Sequence, residues 1–380
     1  MVELRRDLHQ QPEIAHQEFR TADVVAERLR ASRLDQVRTG VGQTGVVGTL
    51  RGALPGPTVL LRADMDALPL VEADRGQPYR SRREGVHHAC GHDGHVAILL
   101  TVADLLAERR ADLPGAVSFV FQPAEERVGG AAGMIAEGAL EPPPDACFGL
   151  HLWNDVPVGT VDIRPGPIFA NADSFAVELR APGGHGAMPQ QTPDPIVGAA
   201  SIVTALQTLI AREVSPLEPA TLTIGSIHGG TVPNVIPSRV TLEGTLRTFD
   251  GAVRDQLLRR LDEIVVGIGG TLGLQAAVTA TDGCPACVND PRMAEHVAGT
   301  ARRLLGAAGV TSGVRTGAAD DMSLFLNAVP GCYVLVGSSN AARGLNSPHH
   351  SPEFDFDEAA LEVGAELLAQ STLDYLLSTS

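Results

Sequence analysis

A chain of 380 residues with 44% hydrophobic content is long enough for two domains and can fill more than one core, which excludes disorder as its main state. Its formal net charge of −16 repels phosphate backbones and anionic lipid, so no nucleic-acid or membrane partner is expected, and a small substrate or metal cations fit better. Five cysteines, scattered apart from Cys284 and Cys287, are poor material for a disulfide framework and read as reduced thiols.

In chain order, the opening residues MVELRRDLHQQPEIAHQEF start basic but run into mixed polar sequence, without the apolar core of a secretory signal. No stretch approaches about 18 consecutive apolar residues, so the expectation is a cytoplasmic protein that does not span a membrane. Apolar spacing predicts a helix over residues 21–32 and strands over 45–50 and 58–61. After a glycine-containing break, a long apolar helix is expected from Val96 to Glu108, then a buried strand over 117–121. Strands alternating with helices imply an α/β fold with a mainly parallel sheet covered on both faces. Catalytic groups in such folds gather beyond the carboxyl ends of the strands.

From about Ser174 the pattern becomes strand 175–180, helix 195–212, strands 221–227 and 240–249, helix 251–267 and strand 275–281. That βαββαβ order is the ferredoxin-like motif, a four-stranded sheet with two helices on one face. Pro165, Pro167, Cys284 and Pro285 flank it as hinge positions. A helix over 291–306, a buried strand over 332–336 and a long closing helix over 357–377 follow. The expected organisation is a discontinuous domain, 1–170 with 284–380, interrupted by an inserted domain at 171–283.

The densest chemistry is His87, His88, Cys90, His92, Asp93 and His95, within HHACGHDGH and directly before the predicted helix. Thiolate, imidazole and carboxylate crowded into a glycine-containing turn are the donor types for zinc, manganese, cobalt or nickel. The competing reading is a capping turn, with Asp93 accepting helix amides and His87 and His88 in structural roles. Glu125 and Glu126 follow the strand over 117–121, where adjacent carboxylates point in different directions, so that one can hold a metal while its neighbour acts as a base. Asp64 and Asp66 form a second carboxylate pair at a strand end, able to ligate or to orient a histidine. His151, after the apolar run 146–150, and His350 near the C-terminus carry weight only collectively.

Six ordered motifs carry a resemblance over essentially the whole chain: Arg6-Asp7-Leu8-His9 with Pro12-Glu13, Arg62 to Pro69, His88 to His95, Gln122 to Glu126, Gly184 to Pro189, and Val232 to Pro237. In them the chain resembles the M20 metallopeptidase clan, in its aminoacylase, hippurate hydrolase and auxin-conjugate hydrolase branch. The resemblance implies two divalent ions, zinc, manganese, cobalt or nickel, held by Cys90, His92, Glu126, His151 and His350, with the Cys90 thiolate bridging. It implies Glu125 as general base, Asp66 behind the ligands, and His185 polarising the scissile carbonyl. Asn234 and Arg247, with His185, would reach the substrate, the first two suited to an amino-acid carboxylate. The insertion would serve as lid and dimerisation module, giving a homodimer or higher homo-oligomer.

Three departures stand out. Asp64 occupies the place of a histidine ligand of the wider clan, a role His92 takes over here. Ala319-Asp320-Asp321-Met322 replaces a Glu-Asp followed by an aromatic, and Cys284-Pro285-Ala286-Cys287 is an unusual pair, read as hinge packing. The implied reaction is hydrolysis of N-acyl amino acids to a carboxylic acid and a free amino acid. The alternatives are a dipeptidase or carboxypeptidase of the same clan, or a catalytically silent metal-binding or small-molecule-binding protein.

Overall fold

A computed structural model describes residues 1–127 and 129–379, and the chain clusters into two compact units. The first comprises Met1–Ile168, Cys287–Val314 and Asp320–Ser380; the second comprises Phe169–Ala286 and Arg315–Ala319.

In chain order the first unit contributes α1 (Val2–Gln10), α2 (Phe19–Ala31), β1 (Gln36–Val41), β2 (Gly45–Arg51), β3 (Leu54–Asp64), α3 (His92–Glu108), β4 (Pro114–Gln122), α4 (Gly130–Ala136), β5 (Ala146–Pro157) and β6 (Val161–Asp162). The second adds β7 (Asn171–Arg180), α5 (Pro195–Thr208), β8 (Ala220–Gly229), β9 (Arg239–Thr248), α6 (Gly251–Thr271) and β10 (Gln275–Cys284). The chain then returns to the first with α7 (Pro291–Leu305), β11 (Val310–Thr311), α8 (Met322–Ala328), β12 (Gly331–Ser339) and α9 (Ala359–Thr379).

The first unit's sheet runs β1-β2-β4-β3-β5-β12-β6-β11. Its centre, β4-β3-β5-β12, is parallel, while β1, β2 and β6 join antiparallel. Both faces of the parallel centre are covered, which is why β5 and β12 are buried over long uninterrupted runs. Helices α1 and α9 pack on α3, and Val96, Ile98, Leu99, Leu100, Val102 and Ala103 of α3 join the sheet residues in one core.

The sequence places the start of α3 at Val96, but the helix begins at His92. Gly91, in the left-handed region at φ 88°, precedes it, and the polar first turn His92–His95 carries none of the apolar periodicity that reveals the rest. Strand β1 is an edge strand with little buried surface, and α1 buries Arg5 and His9 beside Leu8, so neither has an apolar signature.

In the second unit the sheet order is β8-β9-β7-β10, all antiparallel, with α5 and α6 packed on it. This is the expected ferredoxin-like arrangement. Alternate residues of β7, among them Phe175, Val177 and Leu179, face a core shared with Ile202, Leu206, Leu257 and Leu261. Asp194 and Asp250 cap the two helices, accepting from the N–H of Ile196 and of Val253. Among the described residues, one helix, Pro195–Glu213, is long and apolar enough by length and composition to cross a membrane. It packs Ala199, Ile202, Leu206 and Leu209 into this core, as a helix of a globular domain does.

Candidate metal centre

At the carboxyl ends of β3, β4 and β5, five donor residues from four segments of the chain converge. Cys90 Sγ lies 3.5 Å from His151 Nε2, and His350 Nε2 lies 3.3 Å from Glu126 Oε1. His92 Nε2 is 3.9 Å from the same Glu126 oxygen. Two of the overlapping donor groups are the triads Cys90–His92–His151 and Cys90–Glu126–His350, each with its atoms within 4.8 Å of one another, and His92 also groups with Glu125 and Glu126 and with Asp64 and His95. Cys90 is common to both triads. The five residues singled out from the sequence as metal donors are thus brought together, and His87 and His88 stand outside both triads.

Local structure explains how each donor is aimed. His151 Nδ1 donates to Leu152 O at 2.7 Å, so its Nε2 carries the lone pair that faces Cys90. His95 is engaged otherwise: Nε2 accepts the Leu152 N–H at 2.9 Å, so Nδ1 bears the proton given to Asp64 at 2.6 Å. Asp64 also receives Arg62 Nη1 at 2.7 Å, and this leaves it a structural carboxylate. Both oxygens of Asp66 are committed as well, to the backbone N–H groups of Glu125 and Glu126 at 3.1 Å each, and Oδ1 lies 3.4 Å from His92 Nδ1. Asp66 therefore holds the Glu125–Glu126 turn and faces the His92 ring.

Backbone strain concentrates here. Ala124 and His350 sit at φ 53° and 63°, a region that costs non-glycine residues energy and persists only where the surroundings enforce it. For Ala124 the enforcing group is buried Glu18, whose Oε1 accepts the Ala124 N–H at 2.9 Å while Oε2 accepts the Thr44 hydroxyl. Glu18 carried no signal in the sequence. Gly94 is required by close approach: a Cβ there would stand 2.5 Å from Leu152 Cδ1 and 2.8 Å from Phe356 Cζ.

Electrostatics favour a cation. Burial lifts the Glu125 carboxyl well above the usual range, aided by Asp320, Glu126 and Asp321. Burial, with Glu126 and Glu125 alongside, likewise pushes the Cys90 thiol well up. Burial opposes protonation of His92, but Asp64, Asp66 and Glu126 outweigh it and hold that imidazole up at about 10. The same field attracts a metal ion in competition with protons. Among the described residues, Nε2 of His92 and Oε1 of Glu126 are buried without a hydrogen-bond partner, an arrangement a bound ion satisfies. The sulfur, nitrogen and oxygen donor set fits a borderline divalent metal.

Behind Glu125 lies a buried network the sequence only hinted at. Arg62, fully buried, donates to Gln122 Oε1 at 2.8 Å and pairs with Asp320 and Asp321 at 3.2 Å each. The Tyr333 hydroxyl donates to Asp320 at 2.7 Å.

His185, Asn234 and Arg247 belong to the second unit. His185 pairs with Val235 in a short antiparallel bridge, and the Gly186 N–H donates to Asn234 O at 2.9 Å, so the first two are neighbours. Arg247 stands on β9, opposite Thr221 and Ala172. His185 Nδ1 accepts the Ala187 N–H at 3.0 Å, which puts its proton on an exposed Nε2.

A parallel-centred α/β unit with clustered thiol, imidazole and carboxylate donors, interrupted by a ferredoxin-like unit, defines a metal-dependent hydrolase acting on amide bonds. Residues 60–374 match peptidase family M20/M25/M40, and the chain belongs to that family. It is 39% identical over 371 residues to the N-acetyl-L-cysteine deacetylase of Bacillus subtilis, covering 98% of this chain and 87% of the relative. It is equally 39% identical over 372 residues to thermostable carboxypeptidase 1 of Saccharolobus solfataricus, covering 96% and 92%. Among solved structures, a dinuclear metal-binding M20 peptidase of B. subtilis superposes with a TM-score of 0.87 at 32% identity, covering 99% and 97%.

Proposed function

We propose that the protein hydrolyses N-acyl amino acids to a carboxylic acid and a free amino acid. Two divalent ions, zinc, manganese, cobalt or nickel, would be held by Cys90, His92, Glu126, His151 and His350. The observation that carries the reading is the convergence of Cys90, His92, Glu126, His151 and His350 in overlapping donor groups, in which Cys90 would be available to either ion. Bound there, such ions supply Lewis acidity toward water and the scissile carbonyl.

The chain's own groups do the rest. Glu125 takes the proton from the attacking water and passes it to the departing nitrogen, a role for which a buried carboxyl with a raised pKa is suited. Asp66 positions Glu125 and Glu126 through their backbone amides. His185 Nε2–H is the donor offered to the developing oxyanion, worth about 3 kcal/mol for one well-placed hydrogen bond. Asn234 and Arg247 bind the amino-acid carboxylate. The second unit acts as lid and as the homo-oligomer interface, and the open edge of β8, with Ile227 exposed, supports the latter. The setting proposed for this reaction is the cytoplasm.

The test is a hydrolysis screen of metal-reconstituted protein against N-acetyl and N-benzoyl amino acids, dipeptides and longer peptides. Metal-dependent turnover is expected with the N-acyl set. Preference for dipeptides or for removal of C-terminal residues would convert the reading to dipeptidase or carboxypeptidase, the reading that the second relative's name favours. No hydrolysis anywhere in the panel would make it a binding protein.

A further inference from the structure

Apart from the proposed centre, a second set of metal-type donors meets in the first unit. His9 of α1, Glu72 of the irregular segment after β3 and His87 of the segment before α3 are all buried, and one donor atom from each lies within 4.8 Å of the other two. His9 Nε2 is 3.2 Å from Glu72 Oε1, and His87 Nε2 is 3.8 Å from the same oxygen. Tetrahedral zinc, with bonds of about 2.0–2.1 Å, sets its donors roughly 3.3 Å apart, so small side-chain adjustments suffice.

The groups behind these donors have the character of metal-site supports. Asp93 Oδ2 stands 2.8 Å from His9 Nδ1, the carboxylate–histidine arrangement that fixes Nε2 as a ligand. Glu72 is held by the Ser81 N–H on Oε2 and the Gln77 amide on Oε1, each at 2.6 Å. Reciprocal 3.0 Å backbone bonds with Leu68 pin His87.

His87 supplies the decisive observation. Both of its ring nitrogens are buried with no hydrogen-bond partner among the described residues. Leaving a buried polar group unsatisfied is costly, because it has given up its hydrogen bonds to water and gained none in return. His9 and Glu72 satisfy one another without a cation, whereas His87 Nε2, the nitrogen that faces Glu72, gains a partner only if something binds. Burial and the nearby His9 also keep its pKa down at about 4, so its lone pair is available at neutral pH.

We propose that His9, Glu72 and His87 form a further metal site, taking a borderline divalent cation such as zinc and separate from the Cys90 cluster. On binding, His9 Nε2 releases its proton to solvent and His87 Nε2 and Glu72 Oε1 complete the protein ligands. The ion rivets α1 to the segment leading into Cys90 and His92. Asp93, next to His92 in sequence, ties the two places together.

The test is zinc content of the dialysed protein, together with anomalous diffraction at the zinc edge from parent crystals. The parent is expected to hold one more equivalent than H87Q or E72Q, and to show an anomalous peak among His9, Glu72 and His87. Equal zinc content in parent and H87Q, or a parent map without that peak, overturns the proposal. If the variants fail to fold, the parent map decides alone. The readout is a difference confined to this site, so it stands or falls independently of how many ions the Cys90 cluster holds and of which substrate is cleaved.

Discussion

Replacing Glu125 by glutamine isolates the proton-transfer role from metal binding. The substitution preserves shape and keeps the backbone N–H that donates to Asp66 at 3.1 Å, so the neighbouring Glu126 keeps its position. No donor of either Cys90 triad is touched, and metal content is expected to match the parent. What disappears is a carboxyl able to accept and return a proton, a contribution of about 10²–10⁴ in rate. At about 1.36 kcal/mol per tenfold, that is roughly 2.7–5.5 kcal/mol of transition-state stabilisation. The upper half of that range applies, because the side chain is buried and bulk water is poorly placed to substitute. Stability should hold or rise, since a neutral amide relieves repulsion from Glu126, Asp320 and Asp321. The assay is kcat on the best substrate of the screen, with metal content and Tm measured on the same preparation. A kcat within tenfold of the parent at equal metal content would refute the assignment, and loss of metal would make Glu125 a ligand instead.

Cys90→Ala removes the donor common to both triads, so metal content by elemental analysis should fall by more than one equivalent; loss of only one ion would show that the thiolate is not shared. Arg5→Met strips a fully buried guanidinium from Asp93 and Asp355, each at 2.8 Å, and from Glu358 at 3.3 Å. Unpairing buried carboxylates costs about 3–5 kcal/mol, to be read from urea unfolding, and a change below about 1 kcal/mol would contradict that account. Asp357 accepts from the Ala359 N–H, the Asn340 amide and Arg343, at 3.1, 2.6 and 2.9 Å. Burial pushes its pKa up, but these three bonds outweigh it and hold the carboxyl below its ordinary value. A depressed folded pKa gives stability that is complete above the unfolded pKa and lost as pH falls through the folded one. Asp357→Asn should therefore lower stability by about 1 kcal/mol at neutral pH, with the difference vanishing in acid; a difference independent of pH would rule out the charge as its cause.

Much of the architecture was legible because periodicity survives wherever one chemistry dominates a face. The alternation of β7 and the unbroken apolar runs of β5 and β12 announce a half-covered sheet and a doubly covered one. Where buried residues are polar the pattern fails. Helix α1 buries Arg5 and His9, and the first turn of α3 buries His92, Asp93 and His95, so one helix went unseen and the other was begun four residues late.

The HHACGHDGH cluster and the Glu125–Glu126 pair determined by themselves that a metal-binding chemistry is present, because so many ligand types rarely crowd together for packing alone. Which member does what was decided only in three dimensions. His95 and His92 lie one helical turn apart on α3, yet the Leu152 N–H claims the lone pair of His95 and leaves His92 facing Glu126. An imidazole has one proton and one lone pair when neutral, so its role follows from what each nitrogen meets. Those partners come from distant strands. For the same reason His87, indistinguishable from His88 by sequence, is set apart by the approach of Glu72 and His9.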